Sequence, residues 1–73
     1  MKDTMGAKYF VERSFPVKDG TILVLDKKIE WEDFNKNYIK DDAERIPYRL
    51  THNEYLISID GNRDLSGHEI EFC

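Results

Sequence analysis

Hydrophobic and polar residues alternate with a period of two along most of this chain, which is the spacing of side chains on a half-buried β-strand. The clearest case is AKYFVERSF, where Tyr9, Val11 and Phe15 share one face. TILVL is instead apolar and β-branched, which predicts a central strand. On this basis we predict six strands, at AKYFVERSF (7–15), TILVL (21–25), IEW (29–31), YRLT (48–51), EYLISI (54–59) and HEIEF (68–72).

Turn signals separate several of these segments. Pro16 ends the first strand, and Lys18-Asp19-Gly20 predicts a tight turn in which the glycine can take positive φ. His52-Asn53 predicts a two-residue hairpin turn between YRLT and EYLISI. These connections are short, so the strands that they join are predicted to pair antiparallel.

Between 31 and 40 the hydrophobic period changes to that of a helix. The apolar residues of this segment stand at i, i+3, i+7 and i+8 of one stripe: Trp31, Phe34, Tyr38 and Ile39. A longer helix would bring Asp42 into that stripe, so we expect it to stop near Lys40. Trp31 and Phe34 are predicted to form the core contact between helix and sheet, with Tyr38 at the rim.

The predicted fold class is therefore α+β, with the element order β-β-β-α-β-β-β. We expect an antiparallel, strongly twisted sheet or small open barrel of about five to six strands, carrying one short helix at about 32–40. Residues 1–6 read as a frayed N-terminus, and residues 7–73 as a single small domain. A sheet this small has edges, and the first or last strand could pair with a second copy, so a homodimer is possible.

The number and placement of charged residues limit the kinds of partner that the chain is expected to bind. The chain carries 11 basic and 15 acidic side chains, a net charge of −4, and the excess lies in the half after Asn37. No basic cluster exceeds two adjacent lysines, so direct nucleic-acid binding is not expected. The longest aliphatic run, at 22–25, is far too short to span a membrane. Cys73 is the only cysteine, which favours a cytoplasmic protein with a reduced thiol.

The stretch from Asp60 to Glu71 has the ligand spacing of an EF-hand calcium loop. The candidate oxygen ligands among its polar residues are Asp60, Asn62, Asp64 and Glu71. Two residues do not fit, because Leu65 stands where the loop needs glycine and Gly67 stands where an apolar residue is usual. The flanking segments also read as strands rather than helices. We therefore interpret the stretch as a polar turn, with positive φ at Gly61 and Gly67, and predict no metal site.

No catalytic constellation is visible. None of the three serines, Ser14, Ser58 and Ser66, sits in a nucleophile elbow, and no phosphate loop or GxGxxG is present. Neither histidine belongs to a zinc-type spacing. The sequence therefore predicts a protein without enzymatic activity and without a cofactor.

These observations favour a small acidic protein-binding module that occupies the surface of a larger protein, as an inhibitor, adaptor or accessory subunit. The partner is expected to present a basic surface. The residues predicted to meet it are Glu32, Asp33, Tyr38, Asp41, Asp42 and Glu44. Two alternatives remain: a small-ligand or divalent-metal domain that uses the Asp60–Glu71 loop, and a subunit of an enzyme whose active site needs another chain.

Overall fold

The computed structural model of this protein describes residues 8–73, and the N-terminus predicted to be frayed, at 1–6, lies outside the described residues. Six antiparallel strands form a closed barrel in the spatial order β1-β2-β5-β4-β3-β6. The strands are β1 (Lys8–Val17), β2 (Gly20–Leu25), β3 (Tyr38–Asp41), β4 (Glu44–Leu50), β5 (Leu56–Asp60) and β6 (Glu69–Phe72). The helical part of residues 8–73 is a single 3-10 helix, Trp31–Asn35.

Strand β6 closes the barrel because it pairs with both β1 and β3. The strand β1 is long enough to serve two neighbours: its first residues pair with β6, and from Val11 onward it pairs with β2. Its register shifts between Val11 and Arg13, where a bulge bends the strand. Neither β1 nor β6 is an edge strand, so edge pairing is not the route by which a dimer would form.

Alternate side chains of the strands point into the barrel and form one apolar core. Its buried members are Tyr9, Val11, Leu23, Leu25, Ile29, Ile39, Ile46, Ile57, Ile59, Leu65, Ile70 and Phe72. The ring of Phe72 packs edge-on against Tyr9 and Tyr48, with centroids 5.1 and 4.9 Å apart. Ile29 and Leu65 come from connections rather than strands, and each caps the core at one end of the barrel.

The predicted α+β class is wrong, because no α-helix forms at 32–40. The 3-10 helix ends at Asn35, and Lys36 already has extended backbone angles, φ −81° and ψ 155°. Tyr38 then begins β3, in which Ile39 points inward and is buried. The spacing of the apolar residues is compatible with a helix or with a strand. The strand forms because β3 pairs with both β4 and β6. None of the helical structure in residues 8–73 is long or apolar enough to cross a membrane.

Two local predictions fail for reasons of packing. The segment IEW is not a strand: Ile29 is buried, and its N–H donates to the carbonyl of Glu54 at 2.9 Å outside the barrel sheet. The predicted turn at His52-Asn53 is part of a longer loop, at 51–55. Both segments lie at one end of the barrel, where they cover the core instead of extending its wall.

The glycines have two different roles. Gly20 begins β2 and does not take the positive φ that the turn signal suggested. A Cβ at this position would overlap the carbonyl oxygen of Ile59 on the neighbouring strand, so the close approach of β2 and β5 requires glycine. Gly61 and Gly67 have φ of 83° and 85°, which confirms the prediction for the polar turn.

Candidate functional site

The two ends of the barrel are closed in different ways. We call the aromatic end the one covered by the β2–β3 connection (26–37) and the β4–β5 loop (51–55). The hairpin end carries the turns at 18–19 and 42–43 and the β5–β6 loop (61–68). Most of the large apolar side chains that residues 8–73 expose lie at the aromatic end: Trp31, Phe34, Tyr38, Leu50 and Tyr55.

A buried carboxylate holds the 3-10 helix against the aromatic end. Asp33 is only 3% exposed, and its Oδ2 accepts a hydrogen bond from the hydroxyl of Tyr9 at 2.7 Å. The same hydroxyl accepts from the N–H of Glu30 at 2.9 Å. The ammonium group of Lys36 lies 3.4 Å from the other carboxylate oxygen, Oδ1. These partners offset the cost of removing the carboxylate of Asp33 from water.

A second tyrosine fixes the end of the same helix. The hydroxyl of Tyr48 lies 3.2 Å from the carbonyl oxygen of Asp33 and 2.9 Å from that of Lys36, and it donates to this pair. Burial raises the pKa of the Tyr9 hydroxyl well above its ordinary range, and burial followed by the nearby charge of Asp33 raises the pKa of Tyr48. Both hydroxyls therefore keep the protons that they donate at neutral pH.

This network turns the apolar side chains of the helix outward. Because Asp33 faces the barrel, Trp31 is 75% exposed and Phe34 is 37% exposed. The prediction that these two aromatic residues form the core contact is therefore wrong. The core is capped instead by Ile29, which precedes the helix.

Phe34 borders an apolar cleft between the 3-10 helix and the β4–β5 loop. The cleft has a volume of about 260 Å³, and Ile29, Phe34 and Leu50 form its apolar wall. Residues 51–54 of the loop complete the lining. Trp31, the only tryptophan of the chain, lies on the same 3-10 helix as Phe34, and its ring is exposed.

Hydrogen bonds also hold the loop side of the cleft. The Thr51 hydroxyl accepts from the N–H of Asn53 at 3.0 Å and lies 3.0 Å from the carbonyl oxygen of Leu56, to which it can donate. The side-chain oxygen of Asn53 accepts from the N–H of Tyr55 at 2.8 Å. An ion pair between Lys28 and Glu54, at 3.0 Å, joins the loop to the β2–β3 connection. The two walls of the cleft are thus fixed to each other.

The six residues predicted to meet a partner do not form one surface. Glu32, Asp33 and Tyr38 lie at the aromatic end, and Asp41, Asp42 and Glu44 lie at the hairpin end. Asp33 is buried, so it cannot contact a partner directly. Of the six, only Glu32 and Tyr38 are exposed at the aromatic end.

The acidic residues of the hairpin end are largely engaged within the barrel. Asp41 contacts the imidazole of His68, with 3.1 Å between Oδ2 and Nδ1. Glu44 forms a two-pronged ion pair with Arg63, at 2.7 and 2.8 Å, which lowers the pKa of its carboxyl group below the ordinary value. Asp42 takes positive φ, 59°, in the turn between β3 and β4. The contacts of Asp41 and Glu44 stabilise the β3–β4 turn, so these acidic residues have a structural role.

Next to this turn lies an open polar groove of about 880 Å³. Charges of opposite sign face each other along it, because Glu71 on β6 stands opposite Lys8 on β1 and Lys40 on β3. Opposite charges at facing positions of neighbouring strands stabilise a sheet. The lining remains mainly acidic, with Asp41, Asp42, Glu44, Glu69 and Glu71, and the two lysines interrupt it.

The four candidate calcium ligands are not brought together. Asp60 pairs with Arg49 at 3.2 Å, and Glu71 lies within β6. Asp64 accepts from the hydroxyls of Ser14, at 2.7 Å, and Ser66 and from the Ser66 N–H. Residues 8–73 contain no cluster of three or more His, Cys, Asp or Glu side chains that could hold a metal ion. The loop is a hydrogen-bonded turn whose Leu65 enters the core.

Sequence reasoning missed the residues that build the aromatic cleft. Ile29 is predicted in a strand but lies in a connection, and the predicted strand position of Leu50 is right but gives no sign that the residue lines a cleft. The one signal that the helix is short was the pair Asn35 and Asn37, since asparagine is a poor helix former. Neither a family model, nor a curated protein, nor a solved structure matches this chain. The geometry of the site is therefore the basis on which we infer a function.

Proposed function

We propose that this protein is a small non-enzymatic binding module that docks onto a larger protein through its aromatic end. The observation that carries the proposal is the inverted pattern of one helical turn, in which Trp31 is 75% exposed and Asp33 is 3% exposed. Exposing a large aromatic residue while burying a carboxylate opposes the usual distribution. Departures from that distribution concentrate at functional sites, where stability is traded for function.

The aromatic end also has the composition of a protein contact. Tryptophan and tyrosine are enriched among the residues that dominate binding energy, and Trp31 and Tyr55 are both exposed here. The helix that carries Trp31 is fixed by Tyr9 and Tyr48, so little conformational entropy remains to be lost on association. A rigid, exposed aromatic cluster of this kind supports docking of a preformed surface.

The proposal includes the nature of the partner and the compartment. The net charge of −4 favours a partner with a basic surface, and it disfavours nucleic acid. The single cysteine, which is exposed, supports a cytoplasmic location, since reduced thiols persist there. Occupying the partner's surface would make the protein an inhibitor, adaptor or accessory subunit.

The absence of enzymatic activity is part of the proposal. The contact of His68 with Asp41 resembles half of a catalytic arrangement, but a nucleophile would also be needed. The hydroxyls of Ser14 and Ser66 both donate to Asp64 rather than to the imidazole. Those contacts leave His68 with the role of joining the β3–β4 turn to the start of β6.

The test compares immobilised wild-type chain with Trp31→Ala and Phe15→Ala as baits for binding proteins in a native lysate. Phe15 is 41% exposed on the barrel wall and serves as the matched control. We expect a partner that wild type and Phe15→Ala retain, with affinity lowered at least about 30-fold by Trp31→Ala, as at a binding hot spot. Both variants should melt like wild type. Equal retention by all three baits would refute the proposed site.

A further inference from the structure

We propose that the aromatic end recognises a short segment of its partner by two features. An apolar side chain enters the cleft formed by Ile29, Phe34 and Leu50, and a neighbouring lysine or arginine lies against Trp31. The inference rests on the proposed function and adds the chemistry of the segment that is recognised.

The size of the cleft points to a side chain rather than to a small molecule. Its volume of about 260 Å³ lies below the range of about 300–1,000 Å³ that is usual for small-molecule sites. Ile29, Phe34 and Leu50 form its apolar side. On the loop side Thr51 and Asn53 are engaged in the loop's own hydrogen bonds, and Glu54 pairs with Lys28. An apolar side chain can therefore enter without leaving these groups unpaired.

The charges around the cleft call for a cation. Glu30 and Glu32 flank Trp31 in the chain, both are exposed, and neither has an ion pair within residues 8–73. Of the basic residues in the same connection, Lys28 pairs with Glu54 and Lys36 with Asp33. Lys27 lies over the ring of Tyr9, 4.9 Å from its centroid. The charges next to Trp31 in the chain are therefore negative.

The exposed indole of Trp31 is itself suited to a cation. A lysine or arginine over the face of a tryptophan ring is attracted by the ring's quadrupole, and tryptophan is the strongest aromatic partner for this contact. The proposed segment therefore sets its apolar residue in the cleft and its basic residue against the Trp31 ring, whose neighbours in the chain are two carboxylates. The carboxylates of Glu30 and Glu32 would repel an acidic residue at the same position of the segment.

The experiment begins with selection of random peptides displayed on phage against the immobilised wild-type chain. Binders to the Trp31→Ala variant are removed first, so that the surviving peptides depend on the aromatic end. We expect the survivors to share an apolar residue with lysine or arginine within two positions of it. The best peptide free of tryptophan is then synthesised, together with a basic→Gln version and an apolar→Ala version.

Dissociation constants are measured by the fluorescence of Trp31, the only tryptophan present. We expect the basic→Gln change to weaken binding about two- to fivefold at low salt, and added salt to shrink this ratio. The apolar→Ala change should weaken binding at least about tenfold. The ratio of dissociation constants, basic→Gln peptide over original peptide, should also shrink in the protein variant with Glu30→Gln and Glu32→Gln. The matched control, Glu12→Gln with Glu69→Gln elsewhere on the barrel, should leave the ratio unchanged.

The possible results test the docking site and the recognition chemistry separately. If no selected peptide depends on Trp31, the proposed docking site is overturned, and the present inference falls with it. If peptides depend on Trp31 but bind equally with glutamine in place of the basic residue, only the recognition chemistry is overturned. Equal shrinkage of the ratio in the control double variant would likewise refute the role of Glu30 and Glu32.

Discussion

The aromatic end and the hairpin end cap the same core with opposite arrangements of polar and apolar groups. At the hairpin end Leu65 enters the core, and the polar groups of the loop remain at the surface around Asp64. At the aromatic end the carboxylate of Asp33 is buried, while Trp31 is turned toward solvent. The hairpin end follows the usual distribution of residues, and the aromatic end departs from it.

The difference shows how a small barrel can present apolar groups without losing its fold. Two tyrosines from the barrel wall, Tyr9 and Tyr48, supply the hydrogen bonds that hold the 3-10 helix. Together with burial of Ile29 before the helix, these bonds attach the segment without its aromatic residues, which remain exposed. At the hairpin end Leu65 supplies the attachment by apolar burial, and the 61–68 loop that carries it exposes no other large apolar side chain.

The largest expected effect is the loss of the apolar cap at the hairpin end. Leu65→Ala should lower the free energy of unfolding by about 2–5 kcal/mol, because the lost methyl groups leave a cavity in the core. Leu50→Ala at the aromatic end is the matched control, since Leu50 is 46% exposed and should cost less than about 1 kcal/mol. Urea denaturation of both variants measures the difference. Equal losses of unfolding free energy in the two variants would contradict the proposed difference between the two ends.

A smaller loss is expected when the polar attachment of the aromatic end is broken. Tyr9→Phe removes the donor to Asp33 and the acceptor of the Glu30 N–H, which should cost about 1–3 kcal/mol. Tyr55→Phe is the control, because Tyr55 is 47% exposed. Amide hydrogen exchange should accelerate at 26–37 in Tyr9→Phe and stay unchanged at 61–68. Uniform acceleration along the chain would show that the network does not act locally.

The smallest effect concerns acid, and it belongs to the hairpin end. Hydrogen bonds from Ser66 and Ser14 lower the pKa of Asp64 to about 2. A carboxyl group whose pKa is lower in the folded state stabilises the fold above the pKa of the unfolded chain, about 3.9. That contribution is lost as the pH falls from about 4 to about 2.

Melting temperatures recorded across this acid range test the effect. Asp64→Asn should flatten the fall in stability that wild type shows between about pH 4 and pH 2. The aromatic end should respond to base instead, because the raised pKa of Tyr9 makes stability decline above about pH 10. An unchanged acid slope in Asp64→Asn would mean that the turn's hydrogen bonds do not favour the ionised carboxylate.

The strands of the barrel could largely be predicted because their signal is local. β1, β2, β5 and β6 lie where alternating or apolar segments predicted strands, with small differences at their bounds. The same applies to Gly61 and Gly67, whose positive φ follows from the residues of the turn itself. Alternation records which side chains face the core, and this information is present in each short segment.

The aromatic end could not be predicted, because its structure depends on residues distant in the sequence. Burial of Asp33 requires the hydroxyls of Tyr9 and Tyr48, which lie 24 and 15 residues away in the chain. The change from helix to strand after Asn35 depends on partners for β3 on both sides, which exist only once the barrel closes. Without those partners, the spacing of Trp31, Phe34, Tyr38 and Ile39 favours a helix.

Closure by β6 also sets the order in which the chain can fold during synthesis. This strand pairs with β1 near the start of the described chain and with β3 in its middle, and Phe72 joins the rings of Tyr9 and Tyr48. Until β6 leaves the ribosome, β1 and β3 have unpaired edges that can be captured by other chains. The loop between β1 and β6 must also be closed last, which favours slow, all-or-none folding. A nascent chain halted before Glu69 would therefore keep these edges exposed and be a substrate for chaperones.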